Sequence, residues 1–533
     1  SVDILNLREH SYDPITTRQG KRSNGIGIFA SSNVLNAISS NVLKYATSFS
    51  ENHNIDGLAG YSFEKLNVRS ALIRGTDFPN EKFQYLASAA TITTATASAR
   101  DRGLNSWFGR ANYNYKYKYL VSLTARYDGS SKFGVNNRYG FFPAASLSWR
   151  LSQEDFMKDI PNLNELKIRT SYGLTGNDGI PDFRNLALFG GGYNYLGQPG
   201  IAPVQLENPD LKWETTAQFN IGVDVEMFEE RIGLSADYYN SQTRDLLLAR
   251  PISLTSGFSS ITSNIGELEN KGFEFVLNTV NVKFPVEWTS SLNFTINRNK
   301  IKKLYKGQPL DNLGRGSNRF EEGQPAGIFY GYRSLGVDPS TGDIVFDDVN
   351  GDGKITAEDR VKIGDPNPDF IGGFTNSLNW KNFDLSVFLQ FSYGNDIFNG
   401  TRIFVESMKG TDNQTTDVLR RWKKPGDITD IPRAIEEDPN NNNRISSRFI
   451  EDGSFLRLKT LTFGYNFSED LLKKVKMNNM RIYLSAYNLL TFTNYSGMDP
   501  EVHYSGDDDL RMGTDFFTYP QPRSFTVGIN IGL

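Results

Sequence analysis

Strict alternation between apolar and polar residues is the feature that most constrains how this chain can fold. In residues 217–227, every second side chain is apolar, and those between them are mostly polar or charged. The same pattern recurs in residues 138–151, 166–175 and 383–393. Successive side chains of a β-strand point to opposite faces of its sheet, so each segment predicts a strand with one apolar and one polar face. The sequence is therefore typical of an all-β protein.

The lengths of these strands and of their connections favour a membrane. A strand that crosses a bilayer at a tilt needs about 9–11 residues, and the alternating segments reach that length. Tight links alternate along the chain with long segments rich in Gly, Asn, Asp and Pro. The long segments are 75–105, 128–137, 178–214, 242–271, 299–370, 395–453 and 494–523. Outer-membrane barrels have short periplasmic turns and long extracellular loops, so we expect a transmembrane antiparallel β-barrel with about fifteen strands in this chain.

The number of strands bears on how much of such a barrel the chain holds. Single-chain bacterial barrels have an even number of strands. The first clear strand is expected at residues 38–50, running toward a periplasmic turn. Residues 1–37 are then the remnant of an extracellular loop, and residues 38–533 supply the C-terminal strands of the barrel. The alternation from Phe525 to Ile531 predicts a closing strand, which keeps the sheet edges out of hydrocarbon.

Composition argues against several other classes of protein. No run of 18 or more apolar residues is present, so membrane-spanning helices are not expected. A formal net charge of −4 speaks against a nucleic-acid surface. The chain has no cysteine, and its three histidines are His10, His53 and His503. None of them is expected on a strand beside a serine, and the acidic run at 507–509 is typical of a solvated loop. We therefore predict no catalytic residues and no enzyme.

One segment carries a metal-binding pattern. Residues 348–359 have the spacing of an EF-hand calcium loop, with Gly353 at the position of the sharp turn. The predicted ligands are Asp348, Asn350, Asp352, the backbone carbonyl of Lys354, Thr356 and Asp359. Because this loop belongs to an insertion at 299–370 that is expected outside the cell, we expect a structural calcium ion (Ca2+) that stiffens it. The alternative is a polar turn that binds no metal.

Aromatic residues in the long segment 178–214 are candidates for binding cargo. Trp213, Tyr193 and Tyr195 present rings on which a sugar can stack. The same residues also fit an aromatic girdle or a loop core, and that is the interpretation we favour.

Six stretches, in chain order, resemble the SusC/RagA family of TonB-dependent outer-membrane transporters of Bacteroidetes. They are residues 126–156, 166–177, 208–224, 348–374, 453–465 and 519–533, with LKWETTAQFNIGVD and DVNGDGKITAEDR among the matching sequences. The resemblance implies that the chain is the C-terminal part of a likely 22-stranded barrel. It further implies that an N-terminal plug belongs to the whole protein and is absent from this chain.

The resemblance also implies a function. A family member imports oligosaccharides or peptides across the outer membrane, a SusD-like surface lipoprotein captures the cargo, and TonB acts through the N-terminal region. Two alternatives remain open: a passive outer-membrane porin or structural barrel, and a soluble calcium-dependent surface adhesin. Detergent dependence separates the adhesin from both barrels, since only a barrel buries its apolar face in outer-membrane lipid. A plug with a TonB box separates the importer from the porin.

Overall fold

Sixteen strands of the described residues form one antiparallel sheet whose spatial order follows the chain. The structure is a computed structural model and describes residues 1–311, 317–410, 412–474, 476–504, 506 and 511–532. The strands are β1 (Val2–Asp13), β2 (Ile26–Phe49), β3 (His53–Thr76), β4 (Thr91–Tyr115), β5 (Tyr119–Ser130), β6 (Tyr139–Arg150), β7 (Leu163–Asn177), β8 (Glu214–Met227), β9 (Ile232–Arg244), β10 (Glu267–Val282), β11 (Glu287–Lys303), β12 (Phe370–Trp380), β13 (Phe383–Tyr393), β14 (Phe455–Asn466), β15 (Asn479–Thr493) and β16 (Ser524–Gly532). The acidic run at 507–509 lies outside the described residues.

Short and long connections alternate along this sheet. Even-numbered strands are followed by the turns 50–52, 116–118, 151–162, 228–231, 283–286, 381–382 and 467–478. Odd-numbered strands are followed by longer segments, among them 178–213, 304–369, 394–454 and 494–523. Consecutive connections of an antiparallel meander lie at opposite ends of the strands, so the long loops share one end. The predicted all-β fold and its loop asymmetry are confirmed.

The first 37 residues are not a loop, and this expectation was wrong. Strand β1 pairs with β2 from Val2 opposite Ala37 to Asp13 opposite Ile26. The strand expected at 38–50 is the second half of β2, and the first half of β2, from Ile26 to Ala37, pairs with β1. The sheet of the described residues has sixteen strands, against an expected number of about fifteen.

The reason for this error lies in the side chains of β1 and β2. In β1 the alternation is broken by the adjacent pair Ile4 and Leu5 and by the polar run 8–11. In β2 the first half is rich in Ala, Ser and Asn, which give no clear apolar face. Both segments are strands because their backbones hydrogen-bond to each other, and a sequence pattern does not show such pairing.

The long loops contain small sheets and short helices. The small sheets pair Leu188–Gly191 with Ile201–Gln205, Leu247–Pro251 with Ser260–Asn264, and Ser334–Val337 with Ile344–Phe346; they also join Leu310–Asp311, Asn318–Phe320, Ile328–Tyr332 and Arg360–Gly364, and Ile450–Asp452, Asp396–Asn399 and Thr514–Asp515. The α-helices are Arg18–Lys21, Arg402–Val405 and Glu469–Lys474. The 3-10 helices are Leu86–Ser88, Leu151–Gln153, Leu254–Ser256, Tyr305–Gly307, Ala357–Asp359, Thr416–Arg420 and Ser447–Phe449. No helix in the described ranges has the length and apolar character needed to cross a membrane.

The chain forms two compact units. The first consists of Ser1–Leu147, Ser171–Ala217 and Thr243–Ile265, and the second of Ser148–Thr170, Gln218–Gln242 and Gly266–Leu533. Each unit has a buried apolar core among its long loops. We call the core of Phe133, Phe142, Ile180, Leu211 and Trp213 the first loop core. The core of Phe329, Phe398 and Phe449 is the second loop core.

Candidate functional site: the polar strand face and the long loops

Charged residues gather on one face of the strands and pair with neighbouring strands. Arg169 of β7 donates to Asp224 of β8 (Nε···Oδ2 2.7 Å) and to Asp237 of β9 (Nη2···Oδ2 2.9 Å). Arg481 of β15 donates to Asp384 of β13 (Nε···Oδ1 2.9 Å). These five side chains keep between 20% and 33% of their surface exposed. The pairs therefore border an open, hydrated space rather than a packed core.

The opposite face of the strands is apolar and open. In β16, Phe525 and Val527 are 66% and 74% exposed, and the same face continues through Ile529 and Ile531. A charged side chain in hydrocarbon is costly, so in a bilayer the apolar face contacts lipid and the charged face lines an aqueous interior. The alternation seen in the sequence therefore indicates, for each strand residue, whether its side chain faces lipid or the aqueous interior.

The long loops of the second unit pack around the second loop core. Its three rings are fully buried, and the Phe329 and Phe398 ring centres lie 6.1 Å apart. We call residues 304–369, 394–454 and 494–523, in their described parts, the second loop cluster. Strands of only two to five residues add backbone hydrogen bonds to it, as where Phe398 pairs with Thr514. These contacts give the long loops of this unit a defined structure.

The second loop cluster also buries charges. Arg448 donates to Glu406 (Nη2···Oε2 2.7 Å), and their side chains are 6% and 4% exposed. Arg457 is 1% exposed, pairs with Asp499 and donates to Glu501 (Nη1···Oε2 3.0 Å). Burial lowers the pKa of Arg448 to about 10, so its guanidinium stays charged at neutral pH. A buried charge needs its partner, because leaving one member alone costs about 3–5 kcal/mol.

A cavity of about 630 Å³ lies among these loops. Its walls come from residues 399–406, 415–417, 496–498 and 515–520. Sites for small molecules are typically concave, about 300–1,000 Å³ in volume, and lined by apolar groups with a few polar ones. Sequence patterns did not indicate this cavity, because its walls are short pieces of two loops that lie far apart in the chain.

The predicted calcium loop at 348–359 is held by its own backbone. The Asp348 carboxylate accepts hydrogen bonds from the N–H groups of Gly351 (2.9 Å) and Gly353 (2.7 Å). These two glycines have φ values of 72° and 79°, a region that other residues rarely adopt. The sharp turn expected at Gly353 is therefore present.

The carboxylate that ends this loop acts as a cap. Asp359 is fully buried and accepts hydrogen bonds from the N–H groups of Thr356 (2.7 Å) and Val349 (3.0 Å). The hydrogen bond from the Thr356 N–H contributes most, and together these bonds hold the pKa of Asp359 below its ordinary value. Thr356 in turn caps the short helix Ala357–Asp359.

The side chains of two further predicted ligands, Asn350 and Asp352, also accept hydrogen bonds from backbone amides. Asn350 Oδ1 accepts from the N–H of Asp352 (3.0 Å), and Asp352 Oδ1 accepts from the N–H of Lys354 (2.8 Å). Within the described part of the chain, no three carboxylate or imidazole side chains converge closely enough to hold a metal ion. The donors are hard oxygens, which suit calcium chemically. The structure brings them into one loop without gathering them at one centre.

The aromatic candidates of segment 178–214 separate into two kinds. Trp213 is 8% exposed, packs against Phe133 (ring centres 4.9 Å apart) and donates from Nε1 to the Arg138 carbonyl (2.9 Å). It belongs to the first loop core and has no face open to a sugar. Tyr193 and Tyr195 are 55% and 77% exposed and keep open rings.

Comparison with known proteins places the chain in a class and then in a family. The family model described as "TonB dependent receptor-like, beta-barrel" matches residues 5–489. TonB-dependent receptor P3 of Formosa agariphila is 39% identical over 99% of this chain and 55% of its own length. TonB-dependent receptor SusC of Bacteroides thetaiotaomicron is 32% identical over 83% of this chain and 45% of its own length. A solved structure described as the RagAB peptide transporter superposes over 100% of this chain and 59% of that chain, with 26% identity and a TM-score of 0.89.

These similarities, together with the two-faced strands, define the class as a β-barrel protein of the outer membrane. The chain belongs to the TonB-dependent receptor family, and the resemblance inferred from its motifs is confirmed. It spans about half the length of the curated relatives that it matches.

Proposed function

We propose that this chain is the barrel portion of a SusC-like TonB-dependent transporter that imports oligosaccharides or peptides. A SusD-like surface lipoprotein captures the cargo, and TonB supplies the energy through the N-terminal region of the whole protein. The observation that carries the proposal is the pairing of a lipid-compatible face with a charged, hydrated face on strands that end in large, ordered loops. Membership of the TonB-dependent receptor family supports it. Such transporters are not enzymes, and we assign no catalytic residue.

Uptake by living cells tests this proposal. Cells that carry the full-length receptor would be given labelled trisaccharides and tripeptides, with and without a functional TonB. We expect uptake of at least one cargo to be lost when TonB is removed, because in the proposed mechanism TonB acts on the N-terminal plug that the family resemblance implies for the whole protein. A passive porin predicts uptake that does not depend on TonB. Full solubility of the receptor without detergent would instead favour the adhesin.

We also propose that residues 348–359 bind a structural calcium ion. The EF-hand spacing, the hard oxygen donors and the left-handed glycines support this assignment. The side chains of Asp348, Asn350, Asp352, Thr356 and Asp359 and the carbonyl of Lys354 would hold the ion. Their role is to stiffen the 304–369 loop, with no part in transport chemistry.

Calcium content tests the metal assignment directly. Asp352→Ala in the full-length receptor removes one donor, so we expect a loss of about one calcium ion per chain, measured by atomic emission after desalting. Asp338→Ala is a matched control, since Asp338 also caps a turn of the same loop, accepting from the Ser340 N–H (2.8 Å). Equal calcium content in the wild type and in Asp352→Ala would refute the site.

A further inference from the structure

The cavity in the second loop cluster has rigid walls. Glu451 lies behind it and accepts hydrogen bonds from Asn399 Nδ2 (3.1 Å), Arg402 Nη1 (3.0 Å) and both the backbone N–H (2.8 Å) and the hydroxyl (2.9 Å) of Ser496. One carboxylate therefore ties the start of the 394–454 loop to the 494–523 loop. When the walls of a site are already fixed before the ligand binds, little free energy is lost in ordering loops and side chains on binding.

A second contact fixes the far wall. The N–H of Phe517 donates to Thr401 Oγ1 (2.7 Å), and Phe517 has a φ of 51°. A bulky side chain in the left-handed region is uncommon and persists only where its surroundings hold it. The ring of Phe517 is 55% exposed, so this strained backbone presents an aromatic group at the cavity.

Three lining residues have polar atoms that lack a hydrogen-bond partner among the described residues. These atoms are Asn399 Oδ1, Thr415 Oγ1 and Thr518 Oγ1, and each is shielded from bulk solvent. Asn399 as a whole is only 2% exposed, and its amide nitrogen is already used by Glu451. Native proteins leave few buried polar atoms unsatisfied, so a partner from outside the chain is expected here.

The lining has more acceptors than donors. Glu406 and Asp515 contribute carboxylates, and among the described residues Asp515 forms no ion pair. Its hydrogen bonds come instead from the Tyr495 hydroxyl (2.6 Å) and the Thr518 N–H (3.1 Å). Burial, followed by the hydrogen bond to Asp515 and the charge of that carboxylate, raises the pKa of Tyr495, so this hydroxyl remains a donor.

The one cation of the lining, Arg402, is already engaged. Its Nε and Nη2 donate to Glu406 (2.7 Å and 3.2 Å), and its Nη1 donates to Glu451 (3.0 Å) and to the Arg448 carbonyl (3.1 Å). A ligand that enters the cavity therefore meets acceptors and hydroxyls, but few available N–H donors.

The excess of hydrogen-bond acceptors over donors in the lining favours some classes of ligand over others. Glu406 and Asp417 pair with arginines, but a carboxylate or sulfate would still face Asp515, which forms no ion pair among the described residues, and like charges in a confined site repel. A peptide backbone brings a carbonyl for each N–H, and the lining offers little to satisfy the carbonyls. A neutral sugar brings hydroxyls that donate to carboxylates, and its C–H face can lie on the exposed ring of Phe517 or Tyr519.

We propose that this cavity is a binding site for a neutral sugar unit of the cargo, with Asn399, Thr415, Asp515 and Thr518 as hydrogen-bonding groups and Phe517 as the stacking surface. This assignment rests on the import function proposed above and narrows its cargo class. The site holds the sugar near the outer end of the strands.

Calorimetric titration of the full-length receptor in detergent tests the site. The probes are maltotriose, cellotriose, laminaritriose and xylotriose as neutral sugars, trigalacturonate as an anionic one, and trialanine and trilysine as peptides. We expect at least one neutral trisaccharide to bind, and Phe517→Ala and the isosteric Thr518→Val each to weaken it about tenfold, since each removes one contact of ordinary strength. Phe156→Ala is the matched control, because it removes another exposed phenylalanine ring (68%, against 55% for Phe517) from the turn 151–162, and it should leave affinity unchanged.

Three outcomes would overturn the assignment. One is that no neutral trisaccharide binds, and another is that a neutral trisaccharide binds both cavity variants as tightly as the wild type. The third is that only a peptide or trigalacturonate loses affinity in Phe517→Ala and Thr518→Val. Each of these leaves TonB-dependent uptake intact as a separate result. Conversely, the cavity variants could weaken sugar binding while uptake by cells does not depend on TonB. That pair of results would contradict TonB-dependent import and support the sugar site.

Discussion

The two loop cores of this protein both give structure to long loops, but they do so with different side chains. The first loop core is apolar throughout, and Trp213 completes it by donating its single polar hydrogen to the Arg138 carbonyl. The second loop core is apolar at Phe329, Phe398 and Phe449, but the cluster around it buries ion pairs and encloses a cavity.

The difference between the two loop cores indicates a different role for each region. Close apolar packing leaves no unsatisfied group and no room, so it stabilises a loop without offering a site. Buried polar groups cost stability unless they are all satisfied, and they are retained where a ligand can complete them. The second loop cluster is therefore the region where cargo recognition is expected, and the first loop core is expected to be structural.

The largest effect is expected from Trp213→Ala in the first loop core. Removing this buried ring should lower the free energy of unfolding by about 3–5 kcal/mol, because the site loses apolar burial and gains a void. Urea titration of the receptor folded in detergent, monitored by tryptophan and tyrosine fluorescence, gives this value. Tyr195→Ala, which removes a ring that is 77% exposed, should change it by less than about 0.5 kcal/mol. A small effect of Trp213→Ala on stability, with a large one on sugar affinity, would reverse our assignment of the two regions.

A somewhat smaller effect is expected from Glu406→Gln in the second loop cluster. The amide removes the negative charge beside Arg448 and Arg402, so unfolding should become easier by about 3 kcal/mol. Faster thermolysin cleavage within 394–454 would report the same loss locally. Asp430→Asn is the matched control, because Asp430 pairs with Arg420 at the surface, with both side chains more than half exposed, and such pairs contribute about 0–1 kcal/mol. Equal effects of the two substitutions would mean that burial does not set the strength of these pairs.

The smallest effect is expected in the pH dependence of the second loop cluster. Burial raises the pKa of Asp396 and outweighs the lowering by the hydrogen bond from the Asp365 N–H; the charges of Asp365 and Asp452 add to the rise, and Lys362 opposes it. Because the folded-state pKa is raised, the stabilising contribution of the protonated carboxyl is complete below its ordinary pKa of about 4 and is lost as the pH rises through the folded-state pKa.

A substitution isolates this contribution. Asp396→Asn cannot titrate, and its amide oxygen can still accept from the Asp365 N–H (2.8 Å). Wild-type stability relative to Asp396→Asn should therefore fall as the pH rises above about 4, as measured by urea titrations at several pH values. A difference that grows in favour of the wild type over this range would show that the carboxylate is stabilised by partners and not penalised by burial.

The sequence predicted most of the barrel, because lipid and water impose a period of two on each strand. Strands β8 and β13 follow from that alternation, and the asymmetry of short and long connections follows from the Gly, Asn, Asp and Pro content of the long segments. Strand β1 was missed because it is set by backbone pairing with β2, which broken alternation conceals. The small strands of the long loops were missed for the same reason.

The candidate site was less accessible to sequence reasoning. The calcium spacing at 348–359 is local, so its residues could be named in advance, whereas the convergence of ligands on one ion depends on side-chain geometry that spacing does not fix. Trp213 is by type also a candidate for sugar stacking, and its burial agrees with the loop-core interpretation that we favoured from the sequence. The cavity depends on Glu451 joining two loops about 50 to 100 residues apart in sequence, and polar loop residues carry no periodic signal that indicates such a contact.

Amide hydrogen exchange of the full-length receptor, with and without a saturating neutral trisaccharide, tests the contrast between the two regions most directly. Our account predicts slower exchange in residues 399–406 and 515–520, whose side chains line the cavity, and no change in residues 178–213. Slower exchange in 178–213 with none at the cavity would contradict it.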